Sequence, residues 1–419
     1  MQFAQFFNRS NIWLAIICLL VFSFSFNERI NSIFVILLCI HWLIDKNLLK
    51  KIKSLKTKWQ LIVPFWIFFL LHLLSIKDVL NDDALGHTLE VKLSFIIFPL
   101  LFSTENYLNK KNLILLFKLF TVSCILTFLY CLLYYFKNYY PSLGIKSLFN
   151  RMYFSFPIMH PGYLSNFFVM SYIYLCLSFL YGFVQSKKDI ILSCIAIFIN
   201  ALAIFILVSK TALIVFACFN LYFIWAFLGK YFTKKTRIYL FLFSSILITI
   251  LFFQIPNIQY RFAETKNDFI KTDRTVMFAN STGSRIAAWS LEWDIIKQKP
   301  MIGHGTGNSN YLLFKTFLEK NYTDLAKNNM HTHNQIFHTW IDLGILGVLS
   351  LLYFFTTIFY YFIQRKNKLG IWFSILLLIN CITDDALEIQ AIIVFCMFFI
   401  TLLLFMPKST EKELNLTNN

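Results

Sequence analysis

The stretch HTHNQIFHTWIDLGILG, residues 331–347, joins the long polar loop of the chain to a long apolar run. Polar side chains crowd its first residues, and Gly344 and Gly347 lie in its apolar continuation. A helix needs about 20 apolar residues to cross a bilayer. The stretch therefore predicts a membrane helix with polar groups at its tip, and we expect any chemistry to lie there.

Composition sets the fold class. The chain has 419 residues, of which 58% are hydrophobic and 19% aromatic, and its mean hydropathy is +0.64. A soluble domain of this size does not hide that much apolar surface. We therefore expect an all-α polytopic membrane protein, with residues 1–419 forming a single integral-membrane domain.

Outward from the opening stretch, the apolar runs predict about twelve transmembrane helices. They lie at residues 11–27, 30–45, 60–76, 91–104, 113–136, 162–184, 190–208, 211–229, 238–255, 334–362, 369–383 and 388–406. The fourth run is short and also fits a re-entrant segment, so the order of loop charges has to decide whether it crosses.

The formal net charge of +17 comes mainly from short loops between the apolar runs. This pattern indicates membrane topology rather than a nucleic-acid surface, because cytoplasmic loops carry the excess of Lys and Arg. The bias keeps its sign on both sides of the fourth run, so we expect that run to cross. Both termini are then cytoplasmic, and residues 255–332 form one large outer loop containing short helices.

Three cations break this charge pattern: Lys92, Lys210 and Arg285. Ionisable groups at membrane depth usually face a cavity or a partner, and cations near helix N-termini suit a phosphate or diphosphate. The alternative is that each forms an ion pair with a nearby carboxylate, such as Glu90, Asp82 or Asp384.

His333 lies at the start of the tenth predicted span. The dipole of a helix N-terminus opposes protonation, so a neutral imidazole able to accept a proton is expected there. Asn334 is placed to cap the helix or to hold a substrate oxygen. The alternative is an interfacial histidine without chemistry.

A metal site is a second interpretation of the same region, because His304, His331, His333 and His338 are close in sequence. His331 and His333 lack the i, i+4 spacing of a helical zinc pair, and no carboxylate or thiolate completes a known ligand set. All nine cysteines lie in apolar runs, which argues against disulfides and a cysteine-ligated metal. We therefore predict no metal, and we interpret Gly303–Gly307 as a turn.

Several motifs in this order resemble the O-antigen ligase and polymerase superfamily of membrane glycosyltransferases. His333-Asn334 is followed at the family's distance by Gly344-Ile-Leu-Gly347, and Arg285-Ile-Ala-Ala-Trp289 precedes Pro300-Met-Ile-Gly303 with two further glycines. Earlier motifs agree with this resemblance: Glu90-Val-Lys92, His160-Pro-Gly-Tyr163 and Ser209-Lys210-Thr211.

The resemblance implies transfer of a glycan from an undecaprenyl diphosphate carrier to a lipid or glycan acceptor, without metal or other cofactor. His333 would activate the acceptor hydroxyl, and Arg285 and Lys210 would hold the diphosphate. Lys92, Asn334, His160 and Tyr163 are the other expected substrate-binding residues. The family usually has arginine at position 210, and lysine keeps the charge but loses the bidentate fork.

The resemblance also implies a bacterial inner membrane, a periplasmic active site and membrane lipids as partners, with no nucleic acid. It leaves open whether the chain is a ligase, with a lipid A core or another lipid or protein as acceptor, or a polymerase. A transporter or flippase for an anionic lipid-linked substrate and a non-catalytic scaffold are alternatives of other classes. The cations at one membrane face argue against the transporter.

Overall fold

A computed structural model describes residues 8–407 except 46, 78, 106–107, 156, 183–185, 255–258, 260–262 and 264–280. Helices are the only regular elements in these ranges. The α-helices are α1 Arg9–Ser23, α2 Glu28–Leu43, α3 Leu48–Leu74, α4 Asp82–Lys92, α5 Ser94–Thr104, α6 Lys110–Asn138, α7 Tyr140–Leu143, α8 Arg151–Ser155, α9 Pro161–Leu180, α10 Lys187–Leu207, α11 Lys210–Tyr231, α12 Lys234–Phe253, α13 Ser281–Gln298, α14 Ser309–Glu319, α15 Thr323–Lys327, α16 Gln335–Gln364, α17 Lys368–Thr383 and α18 Gln390–Phe405.

Each of the twelve predicted spans lies on a helix, which confirms the all-α prediction. Seven helices in the described part are long and apolar enough to cross a membrane, and α1, α17 and α18 are shorter apolar helices. The count of twelve crossings stays a prediction, as do the cytoplasmic termini, whose end residues lie outside the described ranges. The first part of the expected outer loop, residues 255–280, is also largely outside them.

The fourth span begins earlier than its apolar run indicates. Asn81 caps α4 by accepting a hydrogen bond from the Ala84 amide, and α4 continues into α5 with only Leu93 between them. The pair covers Asp82–Thr104, 23 residues, which is sufficient length for a bilayer. Its polar first half hid this length from the hydropathy pattern.

The hydrophobic core centres on α18. Every residue from Ala391 to Phe405 is buried, as expected for a helix that is apolar on all sides and surrounded by other helices. Phe399 packs edge-to-face or stacked on Phe117, Phe373 and Phe398, with ring centroids 4.9–5.0 Å apart. Phe117 comes from α6 and Phe373 from α17, so this contact ties three helices together.

A cluster of paired charges closes one end of the bundle. The Lys51 ammonium lies 3.4 Å from Asp45 and 3.3 Å from Glu105, and Arg9 lies 3.5 Å from Asp45. Here α1 and α3 begin and α2 and α5 end. At the opposite end α2, α4, α9, α11, α16 and α18 begin, and that end carries the site described below.

The helix α16 is broken at Gly344, whose φ is +70°. The amide of Ile345 donates to the carbonyl of Pro300 at 3.0 Å, and the amides of His304 and Gly305 donate to the carbonyls of Ile341 and Asp342. A side chain on Gly344 would overlap the Met301 carbonyl. Residues 300–307 therefore form a turn, as predicted, and the turn completes the broken hydrogen-bond ladder of α16.

The sequence predicts short helices within the large loop, and α13, Ser281–Gln298, is one of them. Its apolar face joins α14, α15 and α16 in a small second core, whose members are Ala288, Leu291, Ile295, Ile296, Leu313, Phe317, Leu325, Ala326 and Ile341. Trp289 donates its indole N–H to the carbonyl of Thr332 at 3.2 Å. The loop helices thus pack on the bundle and fix the segment that leads to His333.

Candidate functional site

His333 stands immediately before α16 and bonds to a carboxylate from the far end of the chain. Its Nδ1 lies 2.7 Å from Oδ1 of Asp384, which follows α17. The backbone of His333 is left-handed, with a φ of +45°, and its side chain is 21% exposed. Asn334 caps α16 by accepting hydrogen bonds from the amides of Ile336 and Phe337. The cap and the left-handed backbone turn the imidazole away from the helix and toward Asp384.

Asp384 is ionised, and this sets the tautomer of His333. Burial alone would raise the pKa of Asp384, but the hydrogen bond and charge of His333 and the nearby charge of Arg285 outweigh it and lower that pKa. An ionised carboxylate can only accept, so Nδ1 of His333 carries the proton. In the neutral ring, Nε2 is then left with a lone pair that can accept a proton.

The pKa of Asp385 is shifted in the opposite direction from that of Asp384. Burial and the charge of Asp384 raise the pKa of Asp385, so of the two neighbouring carboxyls Asp385 is the one that retains a proton more readily. Glu292 of α13 is 0% exposed, and burial, with a smaller contribution from the charge of Asp385, raises its pKa well above the ordinary value. Within the described ranges neither carboxyl oxygen of Glu292 has a hydrogen-bond partner.

Two of the predicted cations lie beside this pair. Thr211, next to Lys210 at the start of α11, is hydrogen-bonded to Thr383 at 2.9 Å, and Thr383 precedes Asp384. Lys210 is half-buried at this junction. Arg285, in the first turns of α13, is close enough for its charge to act on Asp384. The charge of Arg285 therefore reaches the His333–Asp384 pair, and the start of α11, which carries Lys210, is bonded to the residue that precedes Asp384.

The third cation, Lys92, is placed differently. It is 0% exposed and forms an ion pair with Glu388, just after Asp384 and Asp385 in the chain. Glu388 also accepts from the Gln335 amide at 3.1 Å and lies 3.3 Å from the His338 ring. The sequence left two interpretations of Lys92, a phosphate-binding cation or an ion pair, and the structure contains the ion pair. Its partner is none of the three carboxylates considered from the sequence. Contact of Lys92 with a substrate would require this pair to open.

The network continues through α16. His338 lies 3.6 Å from Asp342, and the two oxygens of Asp342 accept from the amides of Gly307 and Ser309, each at 2.9 Å. These bonds satisfy donors at the N-terminus of α14. The buried polar residues of α16 therefore hold the turn at residues 300–307 and the loop at residues 384–388 in place around His333.

His160 and Tyr163 line a cavity of about 490 Å³ on the other side of this loop. Burial and the charge of Arg151 lower the pKa of His160, and the charges of Asp384, His333 and Arg285 also act on it. The His160 ring accepts from the Gly162 amide at 3.2 Å, and its centroid lies 5.1 Å from that of Tyr163. These two residues thus line the cavity, and the His160 ring is within electrostatic reach of the His333–Asp384 pair.

The histidines that suggested a metal are not brought together as one set in the described part. His338 belongs to the buried network, and His304 hydrogen-bonds to the carbonyl of Ile295 at 3.1 Å. The group with a geometry that could hold a cation is instead His333, Asp384 and Asp385, whose ligand atoms lie within 4.8 Å of one another. Metal binding there would compete with the hydrogen bond that sets the His333 tautomer.

Sequence reasoning missed Asp384, Asp385 and Glu388 as site residues. Asp384 was considered only as an ion-pair partner for a cation, and the other two were given no role in the site. The available signal was two adjacent carboxylates and a third between apolar runs 369–383 and 388–406, in a chain with few acidic residues. The bond between Asp384 and His333 spans 51 residues and is not visible in any local pattern.

Comparison with known proteins agrees with the resemblance found in the sequence motifs. Residues 195–352 match the family model described as O-Antigen ligase, and this range contains Lys210, Arg285 and His333. The resemblance to the O-antigen ligase and polymerase superfamily is confirmed. The O-antigen ligase match ends before Asp384 and begins after Lys92, His160 and Tyr163.

A curated relative adds a weaker similarity. It is an uncharacterized protein of Haemophilus influenzae, 26% identical over 110 residues, which make up 26% of this chain and 28% of the relative. The chain thus matches just over a quarter of the relative's length. The match to the O-antigen ligase family supports a glycosyltransferase-like membrane enzyme. The name of the relative describes no activity.

Proposed function

We propose that this protein is an O-antigen ligase-type glycosyltransferase, which moves a glycan from an undecaprenyl diphosphate carrier to a lipid or glycan acceptor at the periplasmic face of the inner membrane. The observation that carries the proposal is the hydrogen bond of 2.7 Å between His333 Nδ1 and Asp384. A histidine oriented by a carboxylate is the arrangement that general-base catalysis needs.

In the proposed reaction, Nε2 of His333 takes the proton from an acceptor hydroxyl while that oxygen attacks the anomeric carbon of the donor glycan. A new glycosidic bond forms and the bond from the anomeric carbon to the phosphate oxygen breaks. The carrier diphosphate leaves with the electron pair of that bond. Asp384 stabilises the imidazolium that results.

Arg285 and Lys210 are the residues proposed to hold the diphosphate. The charge that develops on the leaving oxygens favours fixed cations in a site of low dielectric constant. Lys210 is also the first residue of α11, where the helix N-terminus favours an anion. The action of the Arg285 charge on Asp384, and the bond between Thr211 and Thr383 beside Lys210 and Asp384, support a leaving group that lies near the base.

The substrate-binding roles of Asn334, His160 and Tyr163 remain part of the proposal. Asn334 uses its side-chain oxygen for the α16 cap, so its amide nitrogen is the atom that we propose for a substrate oxygen. Lys92 acts in this scheme through Glu388, by fixing the loop that carries Asp384. A polymerase, whose acceptor is another repeat unit, would use the same chemistry.

The test is an in vitro transfer assay with purified protein, carrier-linked glycan and acceptor lipid. We expect His333→Ala to lose transfer by about 10²–10⁴-fold, the usual contribution of a general base. Arg285→Ala and Lys210→Ala should raise the KM for the donor, and Lys210→Arg should retain activity. His331→Ala is the comparison variant, because its ring centroid lies only 6.4 Å from that of His333 but the hydrogen bond to Asp384 belongs to His333.

Two results would contradict the proposal. Full activity of His333→Ala would remove the base, and a wild-type protein that transports the carrier-linked glycan without forming a new glycosidic bond would favour the transporter class. The metal-free mechanism is tested in the same assay with EDTA. Inhibition that added Mg²⁺ or Mn²⁺ reverses would assign His333, Asp384 and Asp385 to a cation instead.

A further inference from the structure

We propose that the cavity of about 490 Å³ beside His160 and Tyr163 is the subsite for the sugar end of the acceptor glycan. This inference rests on the proposed glycosyltransferase function. It assigns a binding role to residues outside the motifs of the O-antigen ligase superfamily, in particular Arg29 and His87.

The cavity is built by the first residues of four membrane helices. Its polar wall includes Arg29 of α2, His87 of α4, His160 and Tyr163 at α9, and Glu388 and Gln390 at α18. All of these elements begin at the end of the bundle that carries His333. The cavity volume lies within the range of about 300–1,000 Å³ that is usual for small-molecule sites.

The lining suits a neutral ligand rich in hydroxyl groups. Arg29 and His87 offer N–H donors, Glu28 and Gln390 offer acceptors, and Tyr163 adds an aromatic face. Ile158, Met159, Ile389 and Ala391 supply the apolar surface for the C–H faces of a sugar ring. A ligand that lacks hydroxyl groups would leave the polar groups of the site unpaired, and this gives such a site its specificity.

The same lining disfavours the carrier diphosphate. Arg29 is accompanied by Glu28, and Glu388 is already paired with Lys92, so the wall has little net positive charge to hold a diphosphate. Arg285 and Lys210 are not among the residues that line the cavity in the described part of the chain. These two cations lie at the ends of α11 and α13 that approach Asp384. The donor diphosphate and the occupant of the cavity therefore reach His333 from different sides, as two reacting substrates must.

The cavity is also connected to the base. Glu388 lies in its wall, and at most about 14 Å of extended chain separates Glu388 from Asp384. His160 lies in the wall as well, and the charges of His333 and Asp384 act on its ring. A hydroxyl at the inner end of a glycan seated in the cavity would therefore be close to Nε2 of His333.

The test uses the variants Arg29→Ala and His87→Ala, with Glu90→Ala as the control. Glu90 is exposed on the same helix as His87 and does not line the cavity. In the transfer assay, each cavity variant should raise the KM for the acceptor about tenfold while the KM for the donor and the kcat at saturating acceptor stay unchanged. Glu90→Ala should match the wild type.

A second measurement does not depend on activity. Binding of the acceptor's delipidated oligosaccharide to His333→Ala protein in detergent is followed by saturation-transfer NMR. We expect binding to His333→Ala and about tenfold weaker binding when His87→Ala is added. If the wild type shows no transfer but the binding results are as expected, the proposed function is contradicted and the acceptor subsite is still supported.

Two results would overturn the subsite. A rise in the KM for the donor alone would assign the cavity to the donor glycan. Unchanged acceptor KM and unchanged oligosaccharide binding, in Arg29→Ala and His87→Ala proteins whose melting temperatures equal that of the wild type, would show that no sugar is held there.

Discussion

Asp384→Asn is the substitution that tests the His333–Asp384 pair most directly. The asparagine amide has the shape of the carboxylate and can keep a hydrogen bond to Nδ1 of His333 at about the wild-type distance of 2.7 Å. The same Oδ1 accepts from the backbone amide of Asp385 at 3.2 Å, so the asparagine oxygen keeps this position and the His333 ring keeps its tautomer. What the substitution removes is the negative charge that stabilises the imidazolium.

The expected loss in kcat is about 10²-fold, the lower end of what a general base contributes, because the base remains but its charge stabilisation is removed. That factor corresponds to about 3 kcal/mol of transition-state stabilisation. The KM for the donor should change little, since Arg285 and Lys210 remain in place. The matched control is Asp385→Asn, because the raised pKa of Asp385 means that an amide resembles its protonated form.

The assay is steady-state transfer with purified wild type, Asp384→Asn and Asp385→Asn, over a series of pH values. Thermal unfolding in detergent checks that both variants are folded. Asp384→Asn protein with wild-type kcat would refute the stabilisation of the His333 imidazolium by Asp384. Equal losses in Asp384→Asn and Asp385→Asn would show instead that the two carboxyls act together, as in a cation site.

Three further predictions concern stability, each measured as thermal unfolding in detergent. Lys92→Met should cost about 3–5 kcal/mol, because it leaves the Glu388 carboxylate buried without its partner, and Lys92→Met combined with Glu388→Gln should recover most of that loss. Gly344→Ala should cost about 2 kcal/mol or more, because its φ of +70° disfavours a side chain and the Met301 carbonyl occupies the space, whereas Gly86→Ala meets no neighbouring atom and should be neutral or slightly stabilising. The pKa of Asp385 is raised in the folded state, so its contribution to folding stability is fully present below the ordinary value of 3.8. That contribution is lost as the pH rises through the pKa of the folded state. Asp385→Asn should therefore raise the melting temperature at pH 8 more than at pH 5. The argument for Lys92 is contradicted if Lys92→Met melts at the wild-type temperature. The argument for Gly344 is contradicted if Gly344→Ala and Gly86→Ala melt at the same temperature. The argument for Asp385 is contradicted if Asp385→Asn melts at the wild-type temperature at pH 8.

The helices and the helix start at His333 could be predicted from the sequence because their signals are local. Apolar runs mark the spans, and Asn334 before a long apolar segment marks a cap, which the structure contains. The turn at residues 300–307 was also visible, since three glycines follow Pro300. Local chemistry of this kind is set by residues a few positions apart.

The partners across the site could not be predicted, because they depend on packing between distant segments. The pair between Lys92 and Glu388 joins positions 296 residues apart, and no spacing rule reaches that far. Sequence reasoning considered an ion pair for Lys92 but chose among carboxylates near the outer loops. The break at Gly344 was missed for the same reason: its cause is the carbonyl of Pro300, which approaches from another element.

The break at Gly344 has a consequence for membrane depth. It divides α16 into an outer part that carries Gln335, His338 and Asp342 and an inner part from 345 to 364, 20 residues long. At 1.5 Å per residue the inner part measures about 30 Å, which is the thickness of the hydrocarbon core. The outer part can therefore stand in the headgroup region, where the polar ends of a lipid-linked sugar lie. Its ionisable side chains then occupy protein interior above the bilayer core, and their burial carries none of the cost of charge within lipid.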